Sequence, residues 1–103
     1  MVYNTYMELL KTETFSNWLA TLDRQMQKRV AMRVDRLAFG LTGGDAKPIG
    51  NGASELRIDV GPGYRVYFAQ KGDVVVIVLG GGDKSTQSTD IQDALALWAK
   101  LKG

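Results

Sequence analysis

Between Glu55 and Lys84 the hydrophobic positions first alternate with polar ones and then close up into an unbroken apolar run. Residues 55–60 alternate, residues 64–69 are aromatic and β-branched, and residues 74–79 are wholly apolar, each stretch bounded by Gly, Pro or Asp. This pattern predicts three strands joined by two tight turns, an antiparallel meander. Upstream, residues 6–10 are apolar enough for a short first strand. Thr12 is placed to cap a helix in which Phe15, Trp18, Leu19 and Leu22 fall on one stripe. Asp23 is placed to cap a second helix over 24–39, where Met26, Val30, Val34 and Leu37 recur at helical spacing and Gly40 closes it. Residues 40–54 hold five glycines and Pro48 without periodicity, which predicts a loop. Downstream, Thr89 with Gln92 reads as a capping box. Ile91, Leu95 and Trp98 then give the apolar stripe of a terminal helix over 90–100. The predicted order is strand, two helices forming a hairpin, three strands and a helix, in one domain spanning 1–103.

Strand alternation assigns the side chains to faces, because neighbouring residues on a strand point to opposite sides. Leu56, Ile58 and Val60 share one face, as do Tyr64, Val66 and Phe68 on the next strand. If those faces meet the core, Arg57, Arg65 and Tyr67 stand together on an exposed face. Lys84, after the glycine run at the end of the third strand, brings another cation close. The second helix carries Arg24, Lys28, Arg29, Arg33 and Arg36 on the side away from its apolar stripe, a basic arc that is either a solvated helix surface or a phosphate- or partner-contacting face. Lys47, the one cation of the glycine-rich loop, is either solvated or held beside the same sheet face.

Composition narrows the chemistry. The chain has 103 residues with no cysteine and no histidine. Disulfides and thiolate catalysis are excluded, a zinc site would need carboxylates alone, and the usual neutral-pH acid/base group is missing. A net charge of +2 is too small to argue for nucleic acid by itself, so the placement of the cations matters more than their number. The opening Met-Val-Tyr-Asn lacks a leader pattern and no apolar run approaches the roughly 18 residues of a membrane span, so a cytoplasmic protein is expected. Gly80-Gly81-Gly82-Asp83-Lys84-Ser85 fails the phosphate-loop template, which needs Gly immediately before the Lys and another five residues earlier. Neither a cofactor nor a metal is expected.

Four stretches together carry a resemblance: Lys47-Pro-Ile-Gly-Asn-Gly, Glu55-Leu-Arg57, Gly61-Pro-Gly-Tyr-Arg65-Val-Tyr-Phe and Gly80-Gly-Gly-Asp-Lys84-Ser-Thr-Gln. With them the chain resembles the addiction-module killer proteins of the RelE/ParE toxin superfamily, particularly the HigB-like branch. The resemblance implies an α+β fold, a small twisted antiparallel sheet packed on an N-terminal helical hairpin with a C-terminal helix. It also implies the toxin of a type II toxin-antitoxin system, an endoribonuclease that cleaves mRNA at the ribosome and inhibits translation. Arg65, Lys84 and Arg57 then match the catalytic positions, and Lys47, Arg57, Arg65, Tyr67, Arg29, Arg33 and Arg36 are the RNA-binding candidates. The implied partners are a cognate helix-turn-helix antitoxin, the ribosome and mRNA, with operator DNA reached only through the antitoxin and no membrane. A ParE-like inhibitor of DNA gyrase and an inactive antitoxin-binding module are the alternatives. The chain departs from better-known members in having no histidine, and in having Ser85, Thr86 and Gln87 where some carry a late tyrosine or histidine.

Overall fold

A computed structural model of the chain describes residues 6–103; the opening stretch 1–5, where the sequence shows no leader pattern, lies outside the described residues. Strand β1 (Glu8–Lys11) leads into helices α1 (Glu13–Ala20) and α2 (Arg24–Arg36), followed by strands β2 (Ala46–Gly50), β3 (Ala53–Ile58), β4 (Tyr64–Lys71) and β5 (Val75–Asp83) and helix α3 (Gln87–Lys102). The five strands form one sheet in the order β1-β5-β4-β3-β2. The β2–β3–β4–β5 part is antiparallel and β1 runs parallel to β5 at the edge. The α+β class and the helical hairpin are as expected; the sheet is mixed rather than wholly antiparallel, because the first strand lies parallel beside the last one and the helices then carry the chain from β1 to β2 at the opposite edge.

Local chemistry sets the helix starts. Thr12 accepts a hydrogen bond from the Phe15 amide at 3.2 Å, and its hydroxyl donates to the Val78 carbonyl at 2.8 Å, so one side chain both caps α1 and ties it to β5. Asp23 caps α2 by accepting from the Met26 amide at 2.9 Å. The second helix is shorter than its periodicity suggests: it tightens into a 3-10 turn at Leu37–Phe39, and Gly40 ends it in the left-handed region. The terminal helix starts earlier than expected. Asp83 caps a 3-10 turn at Lys84–Thr86 that runs directly into α3, so Thr89 lies inside the helix and makes no capping box.

The predicted loop over 40–54 contains β2. Asn51 and Gly52 both take positive φ, 56° and 85°, and form the two-residue turn that joins β2 to β3. Asn-Gly is the pairing that a hairpin turn of this kind favours. Pro48 is accommodated because β2 is an edge strand, where a missing backbone donor leaves no ladder bond broken on the free side.

Both faces of the sheet are covered. On one, Phe15, Val30, Val34 and Leu37 of the helical hairpin pack on Leu56, Ile58, Val66 and Val78. On the other, Ala94 and Trp98 of α3 pack on Ala53, Tyr67, Ala69, Ile77 and Leu79. Trp98 Nε1 donates to the Asn51 carbonyl at 2.7 Å, which fastens the far end of α3 to the β2–β3 turn. The glycines of β5 fit this double packing: an added Cβ would lie 2.3 Å from the Trp18 ring at Gly81, and 1.9 Å from the Asp90 carboxylate at Gly82. They are places of close approach for α1 and α3. Gly81→Ala is therefore expected to force the Trp18 ring out of place and to destabilise the fold by about 1–3 kcal/mol, the usual range for overpacking; a thermal melt checks this, and an unchanged midpoint would refute the packing described.

Candidate functional site

Register brings the predicted residues onto one face. Lys47 is the cross-strand partner of Glu55, Glu55 of Tyr67, Arg57 of Arg65, and Arg65 of Gly82. Lys47, Glu55, Arg57, Arg65 and Tyr67 thus share the side of the sheet to which α3 docks, with Lys84 just beyond the end of β5. Two arginines directly opposite each other repel, and a sheet chosen for stability alone would not place them so.

The expectation that this face is exposed is corrected. Arg65 is 7% exposed, Tyr67 0% and Glu55 4%, whereas Arg57, Lys47 and Lys84 are exposed. The cause is the first half of α3, which lies across β4 and β5 where Gly82 allows it to come close. Arg65 is not free beneath it: Nε donates to Glu55 Oε1 at 3.0 Å. Gln87, the first residue of α3, donates from Nε2 to Glu55 Oε2 at 2.9 Å and Oε1 at 3.3 Å. The Thr86 hydroxyl donates to Asp90 in the same turn. A buried carboxylate thus joins a strand arginine to the start of a helix.

Two donors in this layer have no partner among the described residues. Arg65 Nη1 and Tyr67 Oη are buried without a hydrogen bond in the structure. An unsatisfied buried polar group costs about 1–3 kcal/mol, more when charged. Burial holds the Tyr67 phenol well above its ordinary value, the Glu55 and Asp90 carboxylates add to the shift, and Arg65 opposes it. Tyr67 therefore stays protonated at neutral pH and is a hydrogen-bond donor there. Asp83, which accepts from the Ser85 hydroxyl at 2.6 Å and the Ser85 amide at 2.8 Å, has its carboxyl held below the usual range by those bonds, and it sets the 3-10 turn that carries Lys84. The tip of the Lys84 side chain lies by Gly63 of the β3–β4 turn, beside Arg65's strand.

The basic arc divides. Arg33 is spoken for, donating to Asp45 at 2.9 Å and to the Thr42 carbonyl at 3.1 Å. Arg29, Arg33 and Arg36 line a groove of about 410 Å³ with Met32, Ile58, Asp59 and Val60. That groove opens between α2 and the end of β3. The arc lies on the helical-hairpin side of the sheet, whereas Arg57 and Arg65 lie on the side to which α3 docks, Arg57 exposed and Arg65 covered, so the seven RNA-binding candidates do not form one surface.

Comparisons with known proteins place this geometry. The family model described as Phage derived protein Gp49-like (DUF891) matches residues 17–96. The chain belongs to this family. A protein of Haemophilus influenzae described as uncharacterized is 45% identical over 96 residues, which cover 92% of this chain and 96% of that protein. Among solved structures, a double arginine-to-alanine mutant of the E. coli toxin RelE in the free state superposes with a TM-score of 0.72 at 16% identity, covering 88% of this chain and 96% of the other. The RelBE2 toxin-antitoxin complex of Mycobacterium tuberculosis gives 0.59 at 18% identity, covering 79% and 94%. The intact E. coli RelBE toxin-antitoxin complex gives 0.60 at 18%, covering 76% and 95%. The fold of this Gp49-like protein is the RelE fold, as the resemblance led one to expect.

Glu55 and Gln87 are the members of the site whose roles the residue pattern did not reveal. In the sequence Glu55 and Gln87 stand out only as members of the stretches that carry the resemblance, Glu55-Leu-Arg57 and Gly80-Gly-Gly-Asp-Lys84-Ser-Thr-Gln. A glutamate two residues before an arginine on a strand whose other face is apolar was the available signal.

The unpartnered hydroxyl gives a test. Tyr67→Phe removes a buried donor that satisfies nothing, so the variant is expected to match or exceed the wild type in stability at pH 7. Because the folded-state value of Tyr67 is raised above the ordinary 10.0, its contribution is intact below about pH 10 and is lost as pH rises from there. The wild type should therefore lose stability faster than Tyr67→Phe above about pH 10, as denaturant melts across pH would show; parallel curves would contradict the burial of the phenol.

Proposed function

We propose that this Gp49-like protein is the toxin of a type II toxin-antitoxin pair and acts as an endoribonuclease on mRNA at the ribosome, in the cytoplasm, restrained by a cognate helix-turn-helix antitoxin through which alone it reaches operator DNA. The observation that carries the reading is the like-charged cross-strand pair Arg57–Arg65, flanked by Lys47 and Lys84 on a RelE fold. Its likeness to toxins, two of them in complexes with an antitoxin, supports the partner. Within this reading, cleavage by attack of a ribose 2′-OH requires a base on that hydroxyl, stabilisation of the charge that develops on phosphorus, and an acid on the leaving oxygen.

Arginine suits the middle task, because its planar fork meets two phosphate oxygens at once. Arg57, exposed and opposite Arg65, makes first contact with the phosphodiester. Behind it Arg65 Nη1 and Tyr67 Oη supply donors that no other group among the described residues occupies. Glu55 is poorly suited to be the base, since Arg65 and Gln87 donate to its oxygens. Lys84, exposed at the mouth of the cluster, is the group for proton transfer, with Lys47 across the face as its companion. Arg29, Arg33 and Arg36 lie on the helical-hairpin side and would contact ribosomal or messenger phosphates outside the cleavage site.

The burial of Arg65 favours a second reading, in which the chain acts by binding alone, as a gyrase inhibitor or a regulatory module. Primer extension on transcripts after induction separates them. Expression of the protein alone is expected to arrest bacterial growth with new 5′ ends inside messages, and Arg57→Ala to lower the cleavage rate about a hundredfold to a thousandfold, as loss of a transition-state donor does. Arg57 and Lys84 are the informative positions because both are exposed. Arg65→Ala would strand a buried carboxylate, so its loss of toxicity would be ambiguous. Growth arrest without new 5′ ends would overturn the nuclease reading, and supercoiling assays would then test gyrase.

A further inference from the structure

The start of α3 stands between the cationic cluster and any phosphate. Arg57, Lys47 and Lys84 are open to solvent, yet Arg65, at the centre of the cluster, is covered. Its cover at the first turn is polar: Gln87 holds Glu55 and Thr86 holds Asp90, while the apolar contacts of α3 begin with the partly buried Ile91 and continue through the buried Ala94 and Trp98. Trp98 is anchored independently at Asn51. The helix is thus fixed by packing at its far end and by side-chain hydrogen bonds at its near end, where it covers the site.

We propose that Gln87 is a latch: by donating to both oxygens of Glu55 it holds the carboxylate on Arg65 and keeps the first turn of α3 closed, and a phosphodiester engages Arg65 only when that contact opens. The two unpartnered donors beneath the turn, Arg65 Nη1 and Tyr67 Oη, point the same way. The closed arrangement leaves them unsatisfied, and phosphate oxygens entering as the turn lifts would satisfy both. Incoming phosphate competes with Glu55 for the same guanidinium, so anion binding and opening are one equilibrium. The near-end bonds are the weaker attachment, since hydrogen bonds can be exchanged for water whereas the packed Trp98 end cannot be lifted without exposing apolar surface. Gly82 fits the device, giving the polar turn a flat bed on which to close.

The latch rests on the phosphate-binding reading of this face, but its first test needs no RNA. Phenylglyoxal modifies accessible arginines, and mass spectrometry reads each one in the full-length protein. In the wild type Arg57 is expected to react quickly and Arg65 slowly; in Gln87→Ala the Arg65 rate should rise about tenfold or more, the scale of losing a hydrogen bond to a charged group, with Arg57 unchanged. Arg33, held by Asp45 and Thr42, reports on general unfolding and should keep its rate. An Arg65 that reacts as fast as Arg57 in the wild type, or whose rate Gln87→Ala leaves unchanged, would overturn the latch. The second measurement uses the wild type alone, so it does not depend on the variant folding. With a 2′-O-methyl RNA oligonucleotide bound, amide exchange at Ile91 to Ala94 is expected to speed up, and binding that slows or leaves it unchanged would also overturn the proposal. If the oligonucleotide does not bind without the ribosome, primer extension still decides the nuclease reading, and the arginine chemistry decides whether Gln87 keeps Arg65 covered.

Discussion

Placing Arg65 beside Glu55 inside the protein removes two charges from water, at a cost of several kcal/mol per ion that is offset only when the pair is well hydrogen-bonded. Much of the second face of the sheet depends on meeting that condition. Glu55 accepts from Arg65 and twice from Gln87, which draws the first turn of α3 down onto β5. Gly82 admits the turn, Asp90 and Thr86 settle over it, and Trp98 closes the other end against Asn51. Removing one partner of such a pair is the damaging change, because the other is left charged and buried. The pair is therefore a structural commitment, and it remains incomplete while Arg65 Nη1 and Tyr67 Oη have nothing to bond among the described residues.

The two faces of the sheet divide the work. The face under α1 and α2 is dry and apolar, and supplies most of the packing. The face under α3 is mixed, apolar near Trp98 and polar near Arg65. A sheet covered on both sides hides its interior from a polymeric substrate, and only residues at the rim remain available. Arg57, Lys47 and Lys84 occupy that rim. Like charges gathered across strands with a single carboxylate between them make poor stabilisers, and a local rule broken in this way is more often found at a functional site than elsewhere.

Much of the fold was legible because its signals are local. Thr12 and Asp23 cap the helices as their positions suggested, and alternation assigned Leu56, Ile58 and Val66 to the core correctly. Asn51-Gly52 is a hairpin signal set among other glycines in a stretch without periodicity, and that setting hides β2 in the sequence. The site was half legible. Alternation put Arg57 and Arg65 on one face, but it gives neither their cross-strand pairing nor what covers them. The terminal helix was expected on the core, and its apolar stripe did not say that its polar start would close over Arg65 and Tyr67. That depends on Gln87 reaching Glu55, a contact between residues 32 apart in the chain that no periodicity encodes.

The central claim is that Arg65 is held beneath α3 by Glu55 yet remains able to turn to phosphate. The most direct measurement is a nitrogen-15 spectrum of the arginine Nε–H groups in the full-length protein, with and without a 2′-O-methyl RNA oligonucleotide. Of the six arginines, Arg65 is the one whose Nε donates to a carboxylate among the described residues, whereas Arg33 bonds through an Nη. The account predicts one slowly exchanging Nε–H, lost in Arg65→Lys, that shifts and exchanges faster as RNA is added. Six Nε–H groups exchanging at solvent rates in the free protein, or a protected one that is indifferent to bound RNA, would contradict it.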